Sequence, residues 1–226
     1  MNVFSRIDSG LTNTKMPWEK DLPPGTKVTV GAVEAYIQKD DSEFGFEKLW
    51  TKTFQTQVIC MYWEASSNIL CVGKDDGSVT FLKVASEVNY IKYDEILTSK
   101  IHLSRVMGVF LDPITQYSYT ISEDKKFKVF DINKNFALSD IPIGSEKHTC
   151  LQVDKDSKRA FIANRSGQVF IYDISNKDPY LLHSILTHGH KSANLRTVLF
   201  DPKTNYLFAA NYKDGQIAIW DMQKPG

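Results

Sequence analysis

The sequence is poor in cysteine and carries no excess of charge. Its three cysteines, Cys60, Cys71 and Cys150, form no Cys-x-x-Cys pair and no cluster with histidine, which argues against a disulfide framework and a structural zinc site. Lysine plus arginine and aspartate plus glutamate number 27 each. The chain therefore lacks the positive field that binding to nucleic acid or to an anionic membrane needs. We expect a cytoplasmic protein that holds no metal and no cofactor and binds no nucleic acid.

Long apolar runs and catalytic motifs are also missing. The longest apolar run, residues 58–63, is too short to cross a bilayer, and the first residues are too polar for a secretory signal. No Gly-x-Ser-x-Gly, His-Glu-x-x-His, P-loop or Gly-x-Gly-x-x-Gly motif occurs. His148 and Cys150 fall in one predicted strand, where core packing is favoured over a catalytic dyad. We therefore predict no catalytic residues and no enzymatic activity.

What the sequence does contain is an internal repeat. Four segments share a polar turn followed by a short strand that ends in a large apolar residue. Their turn residues, which we call the turn anchors, lie 48, 42 and 48 residues apart: Asp76, Asp124, Ser166 and Asp214. Twelve or thirteen residues before each anchor, directly after an apolar stretch, stands an acidic landmark: Glu64, Asp112, Asp154 and Asp201. Each unit therefore reads as strand, turn, strand, tight turn, strand.

The units have the size of propeller blades. Further β-type runs that begin at Tyr90, Phe136 and Tyr180 supply a fourth strand, and a weaker copy covers residues 28–36. No stretch of ten or more residues keeps the apolar period of a helix, so the fold class is all-β. Four-stranded units of roughly 40–45 residues are typical of β-propellers. We predict a single domain over residues 1–226 with five units, approximately 12–37, 50–82, 101–131, 145–173 and 189–222.

The last unit carries the dipeptides Gly189-His190 and Trp220-Asp221. With five phased units around them, the chain resembles the WD-repeat family of β-propellers. That resemblance implies a buried hydrogen-bond network in a blade, formed by a histidine, the aspartate of the tight turn and a tryptophan. In the last unit His190, Asp214 and Trp220 match these places. An earlier unit matches two of them with His102 and Asp124, and has Phe130 in place of tryptophan. These residues receive a structural role.

A row of polar residues precedes the acidic landmarks by seven residues. This row, which we call the rim row, consists of Gln57, Arg105, Lys147 and Asn194. The repetition places its members at equivalent positions, at the start of each innermost strand on one face of the ring. Arginine is enriched at protein interfaces, so the row is a candidate partner-binding surface. A merely solvated rim is the alternative.

Three stretches, residues 102–106, 161–169 and 208–221, look like the WD-repeat and FYVE-domain-containing family. The serine at the third anchor is also a feature of that family. The resemblance spans the first five blades and implies a propeller that acts as an early-endosome scaffold. A FYVE finger needs eight Cys/His-type ligands, and the arginine-pair motif of lipid-binding propellers is also missing. Direct phosphoinositide binding is therefore not carried over, and any endosomal location is expected through partners.

We expect a non-enzymatic scaffold or adaptor for protein–protein interactions. A structural component of a cytoskeletal or ciliary assembly is the alternative, and a propeller-type enzyme is a weaker one. Seven blades of about 45 residues need roughly 315 residues, so the 226 residues predict an incomplete ring. The last blade is expected to have three strands unless the run at residues 3–7 closes it. We expect this chain to be part of a longer propeller or to complete its ring with a second chain.

Overall fold

The computed structural model describes residues 32–38, 46–87, 90–186 and 194–223. All regular structure in these ranges is β-strand, and none of it is helical. The ranges contain seventeen strands: β1 Ala32–Gln38, β2 Phe46–Thr53, β3 Val58–Glu64, β4 Ile69–Lys74, β5 Ser78–Glu87, β6 Tyr90–Lys100, β7 Val106–Asp112, β8 Tyr117–Ser122, β9 Lys126–Asp131, β10 Phe136–Pro142, β11 His148–Asp154, β12 Arg159–Asn164, β13 Gln168–Asp173, β14 Tyr180–Leu186, β15 Leu195–Asp201, β16 Tyr206–Asn211 and β17 Ile217–Asp221.

The strands form antiparallel sheets in which neighbours in sequence are neighbours in space. β3–β6, β7–β10 and β11–β14 are four-stranded sheets, β1 pairs with β2, and β15–β17 form a three-stranded sheet within the described residues. The fourth strands begin at Tyr90, Phe136 and Tyr180, as predicted. Strand β2 was not predicted from the sequence. The structure confirms an all-β fold of propeller blades with an incomplete ring.

The backbone of the turns repeats with the same period as the sequence. The residue after each turn anchor has a positive φ: Gly77 (88°), Lys125 (68°), Gly167 (84°) and Gly215 (68°). Glycine reaches this left-handed region without steric cost, which explains why three of the four residues are glycine. The residue four positions after each acidic landmark also has a positive φ: Asn68, Gln116, Lys158 and Asn205. Local turn chemistry therefore sets the repeat that the sequence displays.

The core lies between successive sheets. The first strands β3, β7, β11 and β15 pack against one another in chain order. One cluster between the sheets β7–β10 and β11–β14 contains Phe127, Ile143 and Ile162, each at most 1% exposed. A second cluster joins the sheet β11–β14 to the last sheet through residues such as Phe161 and Leu195. Burial of apolar side chains on this scale is the main stabilising contribution to the fold.

Candidate partner-binding rim and structural networks

One predicted network is formed, around His102. The loop after β6 brings His102 to the β8–β9 turn, where its Nδ1 lies 2.9 Å from Asp124 Oδ2 and its Nε2 lies 2.9 Å from Thr120 Oγ1. The backbone N–H of Leu103 donates to the same carboxylate at 3.0 Å. The side chains of His102 and Asp124 are 0% and 7% exposed. The arrangement fixes the loop to the tight turn, and its burial makes it structural rather than catalytic.

The corresponding residues of the last unit are placed differently. Asp214 is exposed in the β16–β17 turn and accepts a hydrogen bond from the N–H of Gln216 at 3.3 Å. Trp220 is half-buried and packs on the cluster between the last two sheets. His190 lies outside the described residues. The structural role assigned to this trio stays a prediction.

The third tight turn shows why serine can replace aspartate as its anchor. Asn164 Oδ1 accepts hydrogen bonds from the backbone N–H and the hydroxyl of Ser166, at 3.0 and 2.9 Å. The N–H of Gln168 donates to the same oxygen at 2.9 Å. A buried asparagine at the end of β12 thus supplies the acceptor that the anchor aspartate supplies in other units.

The rim row occupies equivalent positions, directly before β3, β7, β11 and β15. The backbone carbonyl of each member accepts a hydrogen bond of 2.9–3.0 Å from an N–H in the tight turn of its own sheet. These bonds run from Asp75 to Gln57, from Glu123 to Arg105, from Arg165 to Lys147 and from Tyr212 to Asn194. The repeated bond holds the start of each first strand beside its tight turn, so the rim-row positions follow the repeat.

Acidic residues of the tight turns pair with the basic members of the row. Arg105 pairs with Asp75 of the preceding sheet, and Lys147 Nζ lies 2.8 Å from Glu123 Oε2. Arg165 also reaches Glu123, at 2.7 Å. The side chains of the three cations are 42–48% exposed, whereas that of Glu123 is 8% exposed. Burial favours the neutral form of Glu123, but the hydrogen bond from Lys147 and the nearby cations outweigh it and lower its pKa.

Sequence reasoning missed Asp75, Glu123 and Arg165. Each directly precedes a turn anchor, so the same phasing that identified the rim row could have found them. Together with the rim row they form a half-exposed band of charge that crosses the sheet boundaries. The band is partly neutralised within itself, and three cations remain accessible on it.

A second ion pair, at the opposite ends of the first strands, was also missed. Lys155 Nζ reaches Glu64 Oε2 at 2.5 Å, although the two residues belong to sheets separated by the sheet β7–β10. Tyr62 and Ser66 donate hydroxyl hydrogen bonds to the same carboxylate, at 2.9 and 2.7 Å. Burial works against ionisation of Glu64, but these donors hold its pKa at about 2. Glu64 is 2% exposed, so this pair links three sheets from within the protein.

The cysteines are unreactive thiols in this fold. Burial raises the pKa of Cys60 to about 12, and it also raises the pKa of Cys71 and Cys150. His148 Nε2 lies 3.1 Å from the carbonyl oxygen of Ile143, to which it donates. Among the described residues, no three His, Cys, Asp or Glu side chains are grouped so that they could hold a metal ion. The same ranges contain no helix that is long and apolar enough to span a membrane.

Acid is expected to destabilise the protein through His148. Burial lowers the pKa of this imidazole from 6.5, so the unfolded chain takes up its proton more readily than the folded protein. Its contribution to stability is therefore complete above pH 6.5 and is lost as the pH falls. The pKa of Asp124 is held at about 2 by its hydrogen bonds with His102, Leu103 and Lys126, which outweigh burial, so Asp124 acts only below about pH 4. Urea unfolding of the wild type and of His148→Gln between pH 7.5 and 4.5 should give a shallower decline for the variant; equal slopes would contradict this assignment.

Known proteins with similar sequences are all WD-repeat proteins. Human WD repeat and FYVE domain-containing protein 1 is 22% identical over 197 residues, which cover 84% of this chain and 44% of that protein. Mouse WD repeat and FYVE domain-containing protein 2 is 22% identical over 193 residues, covering 84% of this chain and 45% of that protein. The chain thus spans less than half of the length of these relatives.

Solved structures of propellers share the fold. Sqt1 of Saccharomyces cerevisiae matches with a TM-score of 0.70 and 12% identity, covering 85% of this chain and 56% of that chain. The C-terminal WD40 domain of Sif2 matches with a TM-score of 0.65 and 12% identity, covering 83% and 51%. The family model described as lactonase, 7-bladed beta-propeller, matches residues 114–226, half of the chain. The chain therefore belongs to the β-propeller family that this model describes, and its repeats are those of a WD-repeat propeller.

Proposed function

We propose that the chain is a non-enzymatic scaffold that binds a partner protein at the rim row. The observation that carries the proposal is the band of accessible cations, Arg105, Lys147 and Arg165, which lie on one rim of adjacent sheets. Their acidic neighbours, Asp75 and Glu123, hold the cations in place before a partner arrives, which lowers the entropy cost of binding. A partner surface with carboxylates complements this band.

The WD-repeat relatives support an interaction role, and their printed names place the FYVE domain in those proteins alone. We propose a cytoplasmic location, with any association with endosomes arising from a partner. The lactonase in the name of the family model is not extended to this chain, because its thiols have raised pKa values and its best-placed histidine and aspartate are locked together. Hydrolysis of a lactone above the rate in buffer would contradict this part of the proposal.

The test is a charge reversal on the rim. Arg105→Glu is expected to abolish binding of the partner, because it removes a cation and places two carboxylates side by side with Asp75. The ion pair is half-exposed, so its loss should cost at most about 1 kcal/mol of stability. Affinity capture from cell extract with mass spectrometry, run beside thermal melting of the same proteins, measures both effects.

The matched control is Lys203→Glu, which reverses an exposed charge in the β15–β16 turn, away from the rim row. It should leave the captured proteins unchanged. A set of partners that is the same for Arg105→Glu as for the wild type would refute binding at the rim. Loss of the same partner with Lys203→Glu would show that net charge, rather than the rim row, controls binding.

A further inference from the structure

The last sheet has one apolar face that no other part of the protein covers. Register places Leu199, Phe208 and Ile219 side by side across β15, β16 and β17, and Ala210 beside Ile217 in the next row. Leu199, Ile217 and Ile219 are 54%, 68% and 60% exposed. We call this surface the terminal face, and its apolar members are Leu199, Tyr206, Phe208, Ala210, Ile217 and Ile219.

The equivalent face of every earlier four-stranded sheet is an interface between sheets. In the sheet β7–β10, the row Phe110, Tyr119 and Val129 has the same register, and its members are 6%, 3% and 0% exposed. In the sheet β11–β14, Phe161 and Ile171 occupy this row, and the last sheet buries them almost completely. The terminal face thus continues a series of established interfaces and has the side chains of an interface.

The size of the terminal face is that of an interaction surface. Three of its large side chains expose more than half of their area, and Tyr206 exposes 41%. Together they form a patch on the order of 400–500 Å², a size at which contiguous apolar surface marks an interface. Two such patches in contact bury about 1,000 Å² in total, the lower limit for a specific association.

Charges at the two ends of the face favour a second copy of the chain as its occupant. Arg196 is exposed at the start of β15, whereas Asp201 and Asp221 stand at the other end, where β15 and β17 finish. The members of the terminal face between these ends are uncharged. A two-fold axis perpendicular to the strands would place Arg196 of each copy opposite the aspartates of its mate. The surface is therefore complementary to itself in both apolar character and charge.

We propose that the chain forms a two-fold symmetric dimer through the terminal face, with the strands of the two copies antiparallel. The small contact area predicts a dissociation constant in the micromolar range. This dimer uses a different surface from the rim row. It specifies the second chain expected to meet the open end of the ring.

Light scattering coupled to size-exclusion chromatography, at loading concentrations from about 1 to 200 μM, is the direct test. The wild type should shift from monomer to dimer across this range. Ile219→Lys and, independently, Ile217→Lys should raise the dissociation constant at least about tenfold, because each buries a charge in the contact. Ile114→Lys is the matched control: Ile114 is 85% exposed and lies in the β7–β8 turn, and its replacement should leave the dimer intact.

A charge swap tests the orientation of the two copies. Arg196→Glu and Asp221→Lys should each weaken self-association, and an equimolar mixture of the two variants should restore a dimer of wild-type strength. A wild type that stays monomeric at 200 μM would overturn the proposal, as would a dimer that survives both Ile219→Lys and Ile217→Lys. Arg105→Glu should dimerise normally, so failure of the rim proposal and failure of the dimer are distinguishable.

Discussion

Gly77→Ala is expected to destabilise the protein by about 3–5 kcal/mol, combining the strain of a left-handed residue with a steric clash. Gly77 has a φ of 88°, and a Cβ at this position would lie 2.2 Å from the carbonyl oxygen of His102. That stretch of backbone has little freedom to retreat, because the N–H groups of Ile101 and His102 both donate to the carbonyl of Gly77. Urea unfolding monitored by tryptophan fluorescence measures the loss.

Gly215→Ala is the matched control for this prediction. Gly215 is the equivalent residue of the last sheet and has a φ of 68°, but nothing lies within 4 Å of the position that its Cβ would take. Only the backbone conformation opposes the substitution, at a cost of about 1–2 kcal/mol. Equal losses for the two variants would show that the contact between Gly77 and His102 contributes nothing.

Asp124→Ala is expected to cost about 2–4 kcal/mol, because it leaves several buried donors without an acceptor. The carboxylate accepts from the imidazole of His102 and from the backbone N–H groups of Leu103 and Lys126. His102 is fully buried, so water cannot replace the lost partner without opening the loop. The measurement is again the free energy of unfolding, taken at pH 7.

Two further variants separate the network from the mere loss of a charge. Asp124→Asn keeps one acceptor oxygen in place and should recover part of the stability. Asp140→Ala removes a carboxylate from the same sheet that pairs with Lys126 and Lys128 but is 40% exposed, and its loss should cost at most about 1 kcal/mol. If Asp124→Ala were as mild as Asp140→Ala, the network would have no structural role.

The fold was predictable from the sequence because local chemistry repeats in it. A turn that needs a positive φ selects glycine, as at Gly77 and Gly167, and the acidic landmarks cap their own turns, as Asp112 does through the N–H of Ile114. Such signals act within a few residues and therefore appear as a period. Lys125 has the same φ without being glycine, so the period is visible only when several units are aligned.

The partners of the site residues were not predictable in this way. Asp75 and Arg105 are 30 residues apart, and Lys155 and Glu64 are 91 residues apart. Such pairs depend on how one sheet lies against another, and the sequence of a single unit does not encode that geometry. The position of the rim row followed from its phase, whereas its electrostatic state required coordinates.

The pair between Lys155 and Glu64 changes how the repeat array should come apart. In a linear array each unit is coupled only to its neighbours, so opening can begin at any boundary and spread one unit at a time. A bond that passes over the sheet β7–β10 couples units that are not adjacent. The three sheets β3–β6, β7–β10 and β11–β14 are thereby joined into one cooperative block. The last sheet lies outside that bond and is left as the segment from which fraying begins.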